Sequence, residues 1–237
     1  MDQFRELQES CPLKNQECPV IDELRRLKED CKRLQELSQT DALTGYFNFR
    51  YLLSALEGEM ERTQRTGLFT SLVMIDLDYF KQINDTYGHE SGNKALQWST
   101  DIWRENIRRI DIACRYGGEE FAIILPGTRL PRAVHVAERL RIALADSPVE
   151  LDGELVRLTA SFGVDVYKGR ENLSAKAFIE RTDRFVFEGK AKGRNCVCFE
   201  EKEIAVVPTG VTDEEKKALF NNPIGLKSER DNSKGFL

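Results

Sequence analysis

Apolar residues alternate between strand-like and helix-like patterns along the middle of the chain. Thr70–Ile75 is an almost continuous apolar run, which is typical of a strand buried on both faces. The spacing predicts helices over Phe47–Gln64, Ser91–Arg108, Leu130–Ala145 and Ala175–Glu188, and further strands over Ile112–Tyr116, Phe121–Leu125, Leu155–Val166 and Cys196–Phe199. Hairpin-linked strands with helices between them predict an α+β sandwich.

Residues 1–40 are mostly polar, with small or apolar residues that step alternately by four and three positions. These residues are Val20, Leu24, Leu27, Cys31 and Leu34. This heptad pattern predicts a helix that forms a two-stranded coiled coil or packs back on its own domain. The pattern extends over only about two heptads, so it would stabilise a coiled coil weakly by itself.

The end of the chain has a third composition, which starts at about residue 203. Pro208 and Gly210 precede the capping-box pattern Thr212–Glu215, which predicts a short helix through Phe220. Beyond that helix the composition predicts disorder. The sequence therefore predicts a helical segment over residues 1–40, a domain over 41–202 and a tail over 203–237.

The overall composition is that of a globular protein rather than a membrane or DNA-binding one. Of the 237 residues, 41% are hydrophobic and 32% charged, and the net charge is −5. An acidic chain does not offer the positive surface that binds DNA. No apolar stretch approaches a membrane span in length, and the N-terminus lacks the regions of a signal peptide. We therefore expect a cytoplasmic protein with neither a membrane nor DNA as partner.

The six cysteines are expected to be reduced thiols, as is usual in a cytosolic protein. Cys11 and Cys18 are each followed by proline, and their spacing matches no common zinc-binding pattern. Redox or metal sensing by these two residues is the less favoured alternative.

Two groups of acids follow predicted strands. In the run Arg115–Phe121, Gly117 and Gly118 predict a two-residue hairpin turn with positive φ at both glycines, and Glu119 and Glu120 follow. Taken alone, this run is best interpreted as a solvated hairpin with surface acids. The buried strand after Thr70, however, ends in Asp76 and Asp78. A buried carboxylate needs a partner, either a metal such as Mg²⁺ or an arginine.

These residues belong to a series of motifs in a fixed order, namely Asp41–Gly45, Asp76–Asp85, Gly88–Gly92, RYGGEEF and Lys190–Asn195. From about Asp41 to Phe199 the chain resembles the GGDEF family of nucleotidyl cyclases, most of which are diguanylate cyclases. The resemblance implies a five-stranded, largely antiparallel sheet flanked by helices. It also implies the joining of two GTP molecules into cyclic di-GMP with release of two pyrophosphates. The family acts as a homodimer, which favours the coiled-coil interpretation of the N-terminal helix.

The resemblance also assigns roles to residues around the acids. It implies that Asp76 and Glu119, with the Leu77 carbonyl, hold Mg²⁺ (or Mn²⁺), and that Glu120 lies at the reacting centre. Cations that contact the β- and γ-phosphates would be Lys81, Lys190 and Arg194. Without this resemblance, Lys190 and Arg194 would be interpreted as solvated residues at the end of a helix. We expect Asp78 to be a helix N-cap rather than a ligand.

Three residues are expected near the nucleotide base. By the resemblance, Asn84 contacts the guanine edge and His89 lies near the nucleotide, although a packed, hydrogen-bonded role for His89 is at least as well supported. Asn93 departs from the family, which usually has Asp there to accept two guanine hydrogen bonds. Asn has an acceptor and a donor, which suits adenine. Two interpretations are evenly balanced. In one, the protein can also use ATP and make cyclic GMP-AMP; in the other, it binds GTP in the ordinary way.

Arg108 and Asp111 form the RxxD pattern just before the glycines. In the family this is the inhibitory site for the product cyclic di-GMP, and Arg139 matches its secondary arginine. Arginine can hold phosphate or guanine with two hydrogen bonds, and Asp can accept from guanine. The alternative is an ordinary ion pair on a helix surface. Two functions remain, an active cyclase and a receptor that only binds cyclic di-GMP, and the retained GGEEF sequence favours the cyclase.

Overall fold

A computed structural model describes residues 23–30, 34 and 39–200 of the chain. The strands are β1 (Thr70–Leu77), β2 (Ile112–Gly117), β3 (Glu120–Pro126), β4 (Val149–Leu151), β5 (Glu154–Val156), β6 (Ala160–Tyr167) and β7 (Val197–Cys198). The helices are α1 (Phe49–Thr66), α2 (Phe80–Glu105), α3 (Leu130–Ala145) and α4 (Ala175–Ala191). Five strands form the central sheet in the order β2-β3-β1-β6-β7, antiparallel except between β6 and β7, while β4 and β5 form a separate hairpin.

Each face of the central sheet is covered by two helices. On one face, apolar residues of α1 and α4 join Leu72 and Met74 of β1 in a single core cluster. On the other face, where α3 packs beside α2, Trp103 of α2 meets Phe121 and Phe162 edge-on. Side chains alternate between faces along each strand, so both layers are apolar. The predicted α+β fold with a largely antiparallel sheet is confirmed.

Strand β1 lies at the centre of the sheet and is buried along its whole length, as its apolar run predicts. Its neighbours β3 and β6 both run antiparallel to it, and each residue from Thr70 to Asp76 has a partner on both strands. At the end of β1, Asp76 lies opposite Glu120 on one side and Ser161 on the other. The register therefore fixes which polar residues meet at this edge of the sheet.

The helix boundaries follow local capping signals. Asn48 accepts a hydrogen bond from the Tyr51 amide at the start of α1, and Gly67 ends that helix with a left-handed φ of 71°. The predicted start at Phe47 is therefore too early, because Asn48 is the cap. Helix α3 has the predicted bounds, with a proline in its first turn.

Helix α2 begins at Phe80, well before the predicted start at Ser91. The difference arises at Gly88, whose φ of 79° and ψ of 167° interrupt the helix. The residues before it form a helical segment of their own, anchored by the buried side chains of Phe80 and Ile83. The sequence pattern captured only the segment after the glycine.

The predicted single strand over Leu155–Val166 is wrong, since it is divided between β5 and β6. Asp152 and Gly153, both with positive φ, turn the chain so that β5 pairs with β4 instead of extending β6. Asp-Gly is a strong signal for a two-residue hairpin turn, so the sequence did contain the evidence for this hairpin.

The turn between β2 and β3 is shifted by one residue from the prediction. Gly117 pairs with Glu120, so the turn consists of Gly118 and Glu119, and of the two glycines only Gly118 has positive φ. A register shift between Arg115 and Gly117 accounts for the displacement. Glu119 is thereby placed in the turn itself.

The segment that enters the domain runs along the outer edge of β2. Phe47 forms bridges with Thr40 and with Cys114, and its backbone bonds to Ala113 and Arg115. Further upstream, residues 23–30 and 34 are helical, as predicted. Leu24, Leu27 and Leu34 are 46%, 55% and 65% exposed.

Some predictions lie outside the described residues. These concern Val20 and Cys31 of the heptad pattern, Cys11, Cys18, and the helix starting at Thr212. Among the described helices, none combines the length and the apolar character that crossing a bilayer requires.

Candidate active site

The centre of the candidate site is Asp76, a residue only 7% exposed at the end of β1. It lies on the sheet face that α1 and α4 cover, two residues after Met74. Opposite residues of an antiparallel pair have neighbouring side chains on the same face, so Glu120 lies beside it. The structure thus brings together two of the predicted acids.

Lys190, near the end of α4, supplies positive charge to this cluster. Its ammonium donates a hydrogen bond to Asp76 Oδ2 at 2.6 Å. Burial raises the pKa of Asp76, Lys190 opposes the rise, and the Glu119 carboxylate adds to it. The pKa of Glu120 is also raised, first by burial and then by Asp76. Three carboxylates, those of Asp76, Glu119 and Glu120, therefore interact with one another and with Lys190 around the end of β1.

The residues predicted to hold the metal, Asp76, Leu77 and Glu119, lie next to one another at this edge of the sheet. The Leu77 amide donates to the Glu119 carbonyl at 3.3 Å, so the turn lies against the residue that follows Asp76. Carboxylate and carbonyl oxygens are the ligands Mg²⁺ prefers, and neighbouring carboxylates suit a divalent cation. No group of three or more His, Cys, Asp or Glu side chains in the described ranges is arranged to hold a metal. Further ligands would therefore come from phosphate oxygens or water.

The turn that carries Glu119 is braced by Arg115, a role that the sequence analysis missed. Its guanidinium donates twice to the Gly118 carbonyl, at 2.9 and 2.7 Å, and also reaches Asp41 Oδ1 at 3.1 Å. Asp41 in turn accepts from the Thr44 amide and hydroxyl. The signal available in the sequence was that a charged residue, Arg115, lies within a strand next to the turn. The brace fixes the turn to the start of the domain.

The predicted base-contacting residues lie around the break in α2. A β-carbon at Gly92 would overlap Asn84 Oδ1, so glycine there makes room for the Asn84 side chain. Asn93 is the next residue and is exposed, as is His89. Asn84 and Asn93 therefore both lie next to Gly92 in α2. The exposure of His89 does not support a packed role for it.

The phosphate-binding candidates flank the acids. Lys81 is exposed on the first turn of α2. Arg194 follows α4, and its guanidinium lies 4.4 Å from the centre of the Tyr79 ring. Together with Lys190, these side chains border the end of β1. Their number and charge suit a polyphosphate.

Asp78 is not the predicted helix N-cap. The residue at the cap position of α2 is Tyr79, which makes no capping hydrogen bond with its side chain. The Asp78 carboxylate instead points into the protein and accepts from the Thr159 and Ser161 hydroxyls and from the Asn195 amide. A buried acid with these donors is already satisfied.

The RxxD residues lie together in the loop between α2 and β2. Asp111 Oδ2 accepts from the Arg108 amide at 2.8 Å, while Oδ1 is buried without a hydrogen-bond partner in the described part of the chain. Burial raises the pKa of Asp111, and Arg108 and Arg139 oppose the rise. Arg139 donates to the Asn106 carbonyl at 2.6 Å. A cavity of about 360 Å³, lined in part by Arg108 and Asp111, opens here.

Comparison with known proteins agrees with this geometry. The family model described as "Diguanylate cyclase, GGDEF domain" matches residues 38–196. "Response regulator PleD" of Caulobacter vibrioides is 40% identical over 173 residues, which are 72% of this chain and 38% of that protein. "Diguanylate cyclase DgcP" of Pseudomonas aeruginosa is 38% identical over 66% of this chain and 23% of its own length. The chain thus spans less than half the length of these relatives.

Solved structures show the same fold. Diguanylate cyclase SiaD of Pseudomonas aeruginosa, solved with its activator SiaC, superposes with a TM-score of 0.66 at 37% identity, covering 76% of this chain and 69% of that one. The coiled coil and GGDEF domain of DgcB from Caulobacter crescentus, solved with c-di-GMP, gives 0.65 at 26% identity, covering 76% and 95%. With the strand-end acids, the braced turn and a family match over most of its length, the chain belongs to the diguanylate cyclase GGDEF-domain family.

Proposed function

We propose that this chain is a diguanylate cyclase that joins two GTP molecules into cyclic di-GMP. The observation that supports this most directly is the convergence of Asp76, Glu120, the Glu119 turn and Lys190 at the end of β1. Asn84 and Asn93, the candidates for contacting the base, follow on the next helix. Since GTP is a cytoplasmic metabolite, we place the reaction in the cytoplasm.

The reaction consists of two nucleotidyl transfers. The 3′-hydroxyl of each GTP attacks the α-phosphorus of the other and forms a new P–O bond, while its proton passes to solvent. The bond from the α-phosphorus to the α,β-bridging oxygen breaks, and pyrophosphate leaves with that oxygen. Asp76, Glu119 and the Leu77 carbonyl would hold Mg²⁺ (or Mn²⁺), which neutralises the triphosphate. Lys81, Lys190 and Arg194 bind the β- and γ-phosphates, and Glu120 borders the reacting atoms.

Two copies of the domain are needed, because one domain carries one nucleotide site and the reaction joins two nucleotides. We assign the dimer contact to the N-terminal helix. Its residues Leu24, Leu27 and Leu34 are all exposed, whereas apolar side chains at heptad spacing are normally covered by a partner. Activity per molecule should therefore rise with protein concentration.

The decisive experiment is incubation of the pure protein with Mg²⁺ and GTP, ATP or both, followed by mass spectrometry of the products. A cyclase makes cyclic di-GMP from GTP alone, at a specific rate that rises with protein concentration. A receptor makes no product but still binds added cyclic di-GMP. The second result would overturn the proposal.

A second activity, cyclic GMP-AMP synthesis, is supported by Asn93. An amide presents one acceptor and one donor where a carboxylate would accept from both guanine N–H groups. We expect Asn93→Asp to move products from a GTP and ATP mixture toward cyclic di-GMP. One hydrogen-bond difference is worth about 1–3 kcal/mol, so the product ratio should shift by about tenfold.

The matched control for this variant is Asn172→Asp, which makes the same change at an exposed position in the loop before α4. Both proteins and the wild type are compared at equal, low conversion. If wild type makes only cyclic di-GMP from the mixture and Asn93→Asp leaves the ratio unchanged, Asn93 does not select the base.

We also assign feedback inhibition by cyclic di-GMP to Arg108, Asp111 and Arg139. The support is the cavity beside Asp111 and the buried Asp111 Oδ1, which has no hydrogen-bond partner among the described residues and can accept from a guanine N–H. Arg108→Ala should raise the concentration of cyclic di-GMP that halves the rate by about tenfold or more, because a charge-assisted contact is lost. The initial rate should not increase.

Arg132→Ala serves as the control, since Arg132 is an exposed arginine on α3. Inhibition is measured by adding cyclic di-GMP at fixed GTP. Equal sensitivity of Arg108→Ala and wild type would reject the inhibitory role.

A further inference from the structure

The described residues include four non-glycine positions with positive φ, and three of them meet beside the candidate site. Tyr79 has a φ of 57°, Arg194 of 65° and Asn195 of 45°. The fourth, Asp152, belongs to the Asp-Gly hairpin turn. Left-handed backbone is unfavourable for side chains as large as tyrosine and arginine, so the surrounding contacts must maintain it.

The contacts that maintain Arg194 and Asn195 originate in the interior. Asp78 is 4% exposed and accepts the Asn195 amide at 2.9 Å, while the Thr159 and Ser161 hydroxyls fix the same carboxylate. The Asn195 side chain accepts from Arg141 at 3.0 Å. The chain after α4 is thereby fixed in the turn that presents Arg194.

Tyr79 contacts the side chain that this turn presents. The Arg194 guanidinium lies 4.4 Å from the ring centre, and its Nη1 is 3.3 Å from the Tyr79 hydroxyl. Tyr79 is 53% exposed. A half-exposed tyrosine in a strained conformation adds little to the core. Its contact with Arg194 therefore explains better why Tyr79 has this conformation.

We propose that Tyr79 is a positioning residue that holds Arg194 ready for the triphosphate. A free arginine side chain loses rotamer freedom when it binds a phosphate, and a ring that already restricts it reduces this loss. Tyr79 also follows directly on Asp78, so the same segment holds the backbone amide of Asn195, next to Arg194, and contacts the Arg194 side chain. This inference rests on one part of the proposed function, the binding of the GTP triphosphate by Arg194.

The test is a double-mutant cycle between Tyr79 and Arg194. Tyr79→Asn removes the ring but tolerates left-handed backbone, and Tyr79→Phe removes only the hydroxyl. Tyr79→Asn should raise the KM for GTP by about two- to fivefold, the range for one exposed cation–π contact, with little change in kcat. Tyr79→Phe should restore most of the affinity. In an Arg194→Ala background, Tyr79→Asn should change the KM by less than about 1.5-fold.

Arg184→Ala is the control background, since Arg184 is exposed on α4, and there the full effect of Tyr79→Asn should remain. The same cycle is measured by calorimetric binding of a nonreactive GTP analogue, which requires no turnover. If wild type binds the analogue with the expected coupling but makes no dinucleotide, the proposed function fails and this inference stands. Equal effects of Tyr79→Asn in both arginine backgrounds, or no binding of the analogue, would overturn it.

Discussion

Glu119→Gln is expected to lower the rate of dinucleotide formation by two to three orders of magnitude. The substitution keeps the size of the side chain but removes the negative charge of a proposed metal ligand. Loss of metal-assisted charge stabilisation corresponds to about 3–4 kcal/mol in the barrier. The fold should survive, because Glu119 lies in a turn whose backbone contacts with Leu77 and Arg115 do not involve its carboxylate. The measurement is kcat at saturating GTP and Mg²⁺.

The control for this experiment is Glu150→Gln, an exposed glutamate on β4 that loses the same charge away from the site. It should retain the wild-type rate. Thermal unfolding of both variants separates loss of chemistry from loss of structure. A Glu119→Gln protein that works within about threefold of wild type would show that this carboxylate does not hold the metal.

Gly163→Ala is expected to destabilise the fold strongly, although it adds only one methyl group. A β-carbon at this position of β6 would overlap the Thr182 carbonyl of α4 and lie 2.8 Å from the Val186 amide nitrogen. Backbone atoms cannot rotate away as a side chain can, so α4 would have to move off the sheet. We expect a loss of at least about 3 kcal/mol in the free energy of unfolding. The corresponding fall in Tm is about 6 °C or more.

Gly58→Ala provides the comparison, because Gly58 is an exposed residue of α1 and a β-carbon there has no neighbour within 4 Å. It should raise the stability by about 0.5–1 kcal/mol through better helix propensity. Calorimetry of the two variants side by side measures whether Gly163→Ala lowers the Tm and Gly58→Ala raises it. A Gly163→Ala protein with unchanged Tm would contradict the observed packing of α4 on β6.

Features set by local sequence were predictable, whereas those set by distant contacts were not. The uninterrupted apolar run of β1 and the proline at the start of α3 gave correct positions for both elements. The turn before Glu120 was displaced by the register shift near Arg115, which depends on pairing with β3. A local pattern of glycines cannot reveal such a shift.

The residues of the candidate site also divide into those predictable from local sequence and those set by distant contacts. Asp76 and Glu119 follow strands that are recognisable from composition, and the resemblance to the GGDEF family implied that the two acids lie together. Asp78 was misassigned because the hydroxyl and amide groups that bind it come from Thr159, Ser161 and Asn195, far along the chain. The stacking of Arg194 on Tyr79 likewise joins distant segments. Sequence spacing carries no information about such contacts.

The way the sheet ends limits how copies of this domain can associate. Its outer strands are β2, whose free side is occupied by the bridge to Phe47, and β7, which has only two residues. An exposed strand edge is a template for pairing with another chain, and here one edge is covered and the other is too short. Neither edge of the described sheet therefore favours extension by a second copy into a continuous β-structure. Two copies that associate as we propose would instead meet through side-chain surfaces, which can separate and rejoin without breaking backbone hydrogen bonds.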